Sequence, residues 1–142
     1  MLDFTDKVVL VTGSSRGIGR SIAQLFAERG ARVAVHYHTN RAAAVVALAS
    51  LAGEGHILVQ GDIADPAAVA AIVDDVVAQA GRIDILINNA AIYEDHPLAE
   101  SDYQTWQASW RRTIETNVLG TANMSYCAAR HMIAQSGGRI VN

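Results

Sequence analysis

The sequence predicts an α/β fold, a doubly wound parallel sheet with helices on both faces, and three observations carry it. Short β-branched runs alternate with helical segments along the whole chain. The first run, Val8 to Val11, is apolar at every position, as in a strand buried on both faces. A glycine-rich turn then joins that run directly to the first helical segment. The 142 residues form one domain, 1–142, with no internal linker or low-complexity tract.

After the first strand, Ile18, Ile22, Leu25 and Phe26 recur at helical spacing, and Gly30 is placed as the stop. Arg32 to Tyr37 reads as the second strand, and the alanine-rich stretch Arg41 to Ala52 as a helix closed by Gly53. His56 to Gln60 is the third strand. Asp65 is placed to cap the next helix and Pro66 to occupy its first position. Val69, Ile72, Val73, Val76 and Val77 give that helix one apolar stripe before Gly81. Ile83 to Ile87 follows as the fourth strand, 91–103 as a polar loop, and Tyr103 to Gln135 as helix with a break near Asn117 to Gly120. Gly137 and Gly138 release the chain into Arg139, Ile140 and Val141, the start of a fifth strand, and the sequence stops at Asn142. A stop inside a strand reads as a larger domain cut short.

Composition narrows the function classes. Acidic residues number 14 against 11 basic ones, a formal charge of -3, which provides no basic field for nucleic acid. The longest uncharged apolar stretch, Ala42 to Gly53, is shorter than the roughly 18 residues that a membrane span needs. The N-terminus lacks the basic region of a secretory signal, and the single cysteine, Cys127, has no disulfide partner in the chain. The expectation is a cytoplasmic protein without a membrane or nucleic-acid partner.

Gly13, Ser15, Arg16, Gly17, Ile18 and Gly19 lie between the first strand and first helix, where backbone amides and the helix dipole can hold a pyrophosphate. The spacing G-x-x-x-G-x-G, after Thr12, differs from the commoner G-x-G-x-x-G. Further on come Asn88-Asn89-Ala90 at a strand end, Asn117-Val118-Leu119-Gly120 in the long helix, and Gly138 to Asn142. Together these motifs, in this order, resemble the short-chain dehydrogenase/reductase family, and the resemblance covers nearly the entire chain.

That resemblance implies a Rossmann-type sheet and hydride transfer between a nicotinamide cofactor and a small-molecule carbonyl or alcohol. It places the amides around Ser15 to Ile18 on the cofactor diphosphate, Asp62 and Ile63 beside the adenine, and Asn89 and Ala90 at the cofactor pocket. Ala91 departs from the family's more usual glycine. It also implies a homo-oligomer built on the long helix, whose apolar face a shortened chain would expose.

No Asp or Glu stands between Glu28 and Glu54, so the acidic residue that would bind the adenosine ribose and repel a 2′-phosphate is missing. His36, His38, Thr39, Asn40 and Arg41 occupy that strand end, and Arg16 lies inside the turn. Arginine pairs with phosphate and Thr and Asn donate neutral hydrogen bonds, so NADP(H) is expected over NAD(H). The His-Tyr-His run also resembles that segment of pteridine reductases. The plainer alternative for His36 and His38 is that they alternate across the strand end, one ring packed and one solvated; with the two rings read onto opposite faces and no third ligand evident, no metal site is expected.

The family's reaction needs a serine and a Tyr-x-x-x-Lys pair. Lys7 is the only lysine, and it precedes the first strand run. Tyr37 and Tyr126 have Arg41 and Arg130 at that spacing, but arginine stays protonated and makes a poor proton relay. Of the family's catalytic set only Asn117 carries over, as the residue that distorts the helix and holds a relay water; the alternative is a local cap at a helix break. Trp106 and Trp110 read as core or interface packing, Cys127 as a buried structural thiol, and Asp74-Asp75 as a solvated face. The leading expectation is therefore the cofactor-binding part of an NADP(H)-dependent reductase, inactive by itself. Two alternatives remain: a short nucleotide-binding or dimerising module, and a doubly wound methyltransferase.

Overall fold

In the computed structural model, which describes residues 2–142, five strands form one parallel sheet. They are β1 (Val8–Val11), β2 (Arg32–Tyr37), β3 (Ile57–Gln60), β4 (Ile85–Ile87) and β5 (Arg139–Val141), in the spatial order β3-β2-β1-β4-β5. The helices are α1 (Gly17–Ala27), α2 (Arg41–Ala49), α3 (Pro66–Ala80), α4 (Tyr103–Ile114) and α5 (Thr121–Ala134). The order matches the first five strands of the doubly wound dinucleotide-binding sheet.

β1 explains the two-sided packing. Its side chains alternate, so Val8 and Leu10 enter one layer with Ile72, Val76 and Met124 from α3 and α5. Val9 and Val11 enter the other with Ala23, Ala27, Ala44 and Ala47 from α1 and α2. Small side chains on α1 and α2 let those helices lie close to the sheet, while branched side chains fill the opposite layer. The chain reverses its direction of growth where β2 and β4 flank β1, and this opens a crevice beyond the strand C-termini.

β2 and the start of α3 follow the sequence reading residue for residue. Asp65 accepts a hydrogen bond from the Ala67 amide at 2.9 Å, Pro66 opens α3, and Gly81 closes it in the left-handed region. Elsewhere side chains shorten the expected elements. β3 begins one residue late because the His56 ring, not its backbone, accepts from Val33 N at 3.0 Å and contacts Ala52 O at 2.9 Å. β4 begins at Ile85, since the Asp84 carboxylate takes the Val8 amide at 2.9 Å. α2 stops at Ala49, where the Ser50 hydroxyl donates to Ala47 O at 2.7 Å. The expected helix break is a widening instead: Glu115–Gly120 form one π-helical stretch that joins α4 to α5 without a gap.

The tryptophans are not core. Trp106 is half-buried and Trp110 is exposed, the two rings 5.9 Å apart on the surface of α4. Cys127 is half-buried, and burial followed by the charge of Asp74 pushes its thiol above the usual range. Among the described residues, no helix is long and apolar enough to cross a membrane.

Candidate cofactor cleft

The crevice is a cleft of about 1010 Å³, at the top of the range of about 300–1,000 Å³ usual for ligand and cofactor sites. It brings together Gly13, Ser15, Arg16, Gly17, Ile18, Gly19, His36, His38, Thr39, Asn40, Asp62, Ile63, Asn89 and Ala90. Two residues expected at the site stand outside its lining: Arg41, exposed at the first position of α2, and Asn117, in the π-helical stretch.

The turn before α1 divides its amides into two groups. Thr12 N donates to Ile87 O, Ser14 N to His36 O, and Gly13 N to His36 Nδ1, each at 3.0 Å. These amides anchor the turn inward. Gly17, Ile18 and Gly19 form the first turn of α1, whose amides have no intrahelical partner. Arg16 occupies the N-cap in extended backbone but makes no side-chain cap, and the first turn carries no acidic residue. Open amides and a positive helix end therefore face the cleft.

Glycine is required twice here. Gly17 has φ +55°, and open space surrounds the position a Cβ would take. At Gly19 a Cβ would fall 2.6 Å from Gly13 O and would also collide with the Asn89 side chain.

The two histidines behave differently. His36 is buried, with its Nδ1 accepting from Gly13 N and its Nε2 3.0 Å from Gly61 O. Burial is the main reason its pKa falls to about 4, so the ring is neutral. His38 is exposed, with Nε2 3.7 Å from Asp62 Oδ2. The split does not come from strand alternation, which puts positions two apart on one face. It arises because β2 ends at Tyr37, so His38 lies beyond the strand.

Thr39 and Asn40 are exposed where β2 turns into α2, and the Asn40 side chain accepts from Ala43 N at 2.9 Å as the α2 cap. Across the cleft, Asp62 Oδ1 accepts from Ala64 N at 2.9 Å, while Ile63 is buried against the α3 side of the core. Asn89 and Ala90 are fixed by Thr12, whose hydroxyl oxygen accepts from both of their amides at 2.9 Å. Asn89 Nδ2 also donates to Thr12 O at 2.8 Å, which joins the ends of β1 and β4.

The opposite wall is built on the segment Ile92 to Asp102, the position from which members of the resembled family contact substrate, though its side-chain contacts were not visible in the sequence. Asn117 grips the backbone of Ile92 from both sides, Oδ1 accepting from its amide and Nδ2 donating to its carbonyl, each at 2.9 Å. Two residues further on, Glu94 accepts from Arg112 Nε at 2.9 Å, pairs again with Arg112 Nη2, and accepts from Ser109 at 3.0 Å. Arg112 beside it holds the Glu94 carboxyl below the usual range. Ile92, Glu94, Arg112, Glu115 and Thr116 line the cleft. Glu94 lies in the loop and Arg112 in the last turn of α4, a separation without a local spacing signal.

The family model for short chain dehydrogenases matches residues 7–142. The chain belongs to this family. It is 41% identical over 96% of its length to the 3-oxoacyl-[acyl-carrier-protein] reductase FabG of Staphylococcus aureus, covering 54% of that protein. It is also 40% identical over 98% of its length to the cis-4-hydroxycyclohexanecarboxylate dehydrogenase of Sinomonas cyclohexanicum, covering 55% of it. A crystal structure of a dehydrogenase/reductase from Sinorhizobium meliloti superposes with TM-score 0.83 at 30% identity, covering 91% of this chain and 50% of that one. Another solved chain from that organism reaches TM-score 0.86 at 33% identity, over 99% of this chain and 54% of its own length. This short-chain dehydrogenase chain thus spans about half the length of the relatives it matches.

Proposed function

We propose that residues 1–142 are the cofactor-binding part of an oxidoreductase that interconverts a small-molecule carbonyl and alcohol, with NADP(H) preferred over NAD(H). The observation that carries this reading is the uncapped start of α1 facing the cleft, with Gly17 open to it and Gly19 packed against Asn89 and the Gly13 carbonyl. In this reading the amides of Gly17 to Gly19 hold the cofactor diphosphate, and Ser15 flanks it. Asp62 and Ile63 border the adenine, and Asn89 and Ala90 form the floor beneath the ribose.

The preference rests on the end of β2. His38, Thr39 and Asn40 line the cleft without a carboxylate of their own segment, and Arg16 stands exposed on the facing turn. A guanidinium and neutral donors suit a 2′-phosphate that an acidic side chain there would repel. Arg41, one residue outside the lining, adds positive charge nearby. Bound in the cleft, the nicotinamide would supply or accept a hydride.

The residues of this chain bind and orient rather than transfer protons. The engagement of Asn117 on Ile92 favours a positioning role: it holds the start of the 91–102 loop where substrate would approach. A serine and a Tyr-x-x-x-Lys pair after the fifth strand are the family's acid machinery, and no Tyr in residues 1–142 has Lys at that spacing. These residues are therefore proposed to bind NADPH without turning over a carbonyl, within a cytoplasmic homo-oligomeric enzyme. Fluorescence titration with NADPH and NADH tests the reading: NADPH should bind at least about tenfold more tightly, a difference of about 1.4 kcal/mol. Equal binding or a preference for NADH would overturn the cofactor choice.

A further inference from the structure

His36 was expected to touch the cofactor, yet both of its ring nitrogens are already engaged by backbone groups. Nδ1 lies 3.0 Å from Gly13 N, which can only donate, so Nδ1 carries a lone pair and accepts. Nε2 lies 3.0 Å from Gly61 O, which can only accept, so Nε2 carries the proton. The partners fix a single neutral tautomer, and a second ring proton would set two donors against each other at Gly13. The backbone of His36 is tied into the same turn: its amide donates to Ser14 Oγ and its carbonyl accepts from Ser14 N, both at 3.0 Å. Ser14 Oγ in turn donates to Val11 O at 2.7 Å.

Gly13 opens the turn that leads to α1, and Gly61 precedes Asp62 and Ile63 at the end of β3. The ring therefore spans the two loops that the proposed function assigns to the diphosphate and the adenine. We propose that His36 is a positioning residue, a neutral strut that locks the α1 turn to the end of β3 so that both halves of the cofactor cleft hold one geometry. This rests on the nicotinamide-cofactor reading for its consequence but not for its geometry. Burial keeps the ring neutral well below its ordinary range, with His38 opposing protonation and Asp62 and the Gly61 carbonyl favouring it.

The strut acts through the turn, so its loss should weaken NADPH and NADH binding by the same factor. A direct contact with the 2′-phosphate would weaken NADPH alone. His36→Leu keeps the volume but removes both bonds and leaves two half-buried backbone groups without their partner, so dissociation constants for both cofactors should rise about tenfold or more. His36→Asn retains an acceptor near the Nδ1 position and should recover most of that loss. An unequal loss, or an Asn variant no better than Leu, would overturn the strut. If His36→Leu does not fold, ¹⁵N NMR of the unsubstituted 142-residue chain decides. A coupling across the hydrogen bond from Gly13 N to His36 Nδ1, with the proton on Nε2, is expected. A proton on Nδ1 or an absent coupling would overturn the proposal. Failure of the unsubstituted chain to bind either nucleotide would refute the cofactor reading, while the NMR result would still decide the strut.

Discussion

α1 and α3 both begin beyond the C-terminal ends of strands, at the same end of the sheet though on opposite faces, and they are built in opposite ways. α3 is closed: Asp65 caps it, Pro66 removes one of its orphan amides, and its entry buries Val69 in the core. α1 is open: Arg16 gives no cap, Gly17 and Gly19 leave the first turn bare, and Ile18 is exposed. α3 satisfies its own amides and so gains stability, whereas α1 leaves them for another group. The difference teaches that the binding end of this fold is recognised by what its first helix omits.

The comparison can be broken most strongly through pH, because the turn before α1 is held by a titratable ring, that of His36, whereas the first turn of α3 is capped by Asp65. The folded-state pKa of His36, about 4, lies below the ordinary value of 6.5. The unfolded chain therefore takes up a proton that the folded chain refuses as pH falls through that interval. The contribution is intact above the upper value and declines toward the lower one, by roughly 3 kcal/mol in all. Urea unfolding across that range should show the decline, and the His36→Asn variant should lose it; identical slopes for both would contradict the assignment.

A second test crowds the open helix. Gly19→Ala places a methyl group against Gly13 O and Asn89, neither of which can move far, and should cost about 2 kcal/mol in stability with NADPH binding severely weakened. Thermal unfolding paired with titration reads both effects, and an unchanged affinity would show that the turn does not hold the cofactor. At the closed helix, Asp65→Ala should cost about 1 kcal/mol while leaving affinity unaltered. The smallest effect sharpens the contrast by closing α1. Arg16→Asp supplies the missing cap from a residue already in extended backbone, which should add a few tenths of a kcal/mol to stability yet weaken NADPH binding about tenfold. A stabilised chain that still binds normally would contradict an open-amide site.

Much of the fold was legible because its signals are local. The apolar run at β1, the β-branched run at β2 and the Asp65-Pro66 start of α3 each lie within one short window. The glycine turn was legible for the same reason. What the sequence concealed depends on partners far along the chain. His56 trims β3 by reaching Val33 and Ala52, and Asp84 trims β4 by reaching Val8. Asn117 was expected at a helix break, but it lies in a continuous π-helical stretch and its side chain grips Ile92, 25 residues away. The tryptophan spacing suggested core or interface packing, yet Trp106 is half-buried and Trp110 exposed, and neither belongs to the core clusters.

The central claim is that the open first turn of α1 is the anion-binding end of a nicotinamide-nucleotide site. Amide NMR of the 142-residue chain during titration with NADPH tests it most directly. The account predicts saturable shifts largest at Ser15 to Gly19, with secondary shifts at Thr39, Asn40, Asp62 and Ala90, and none at the capped start of α3. Shifts confined to other surfaces, or no saturable change at the α1 turn, would contradict it.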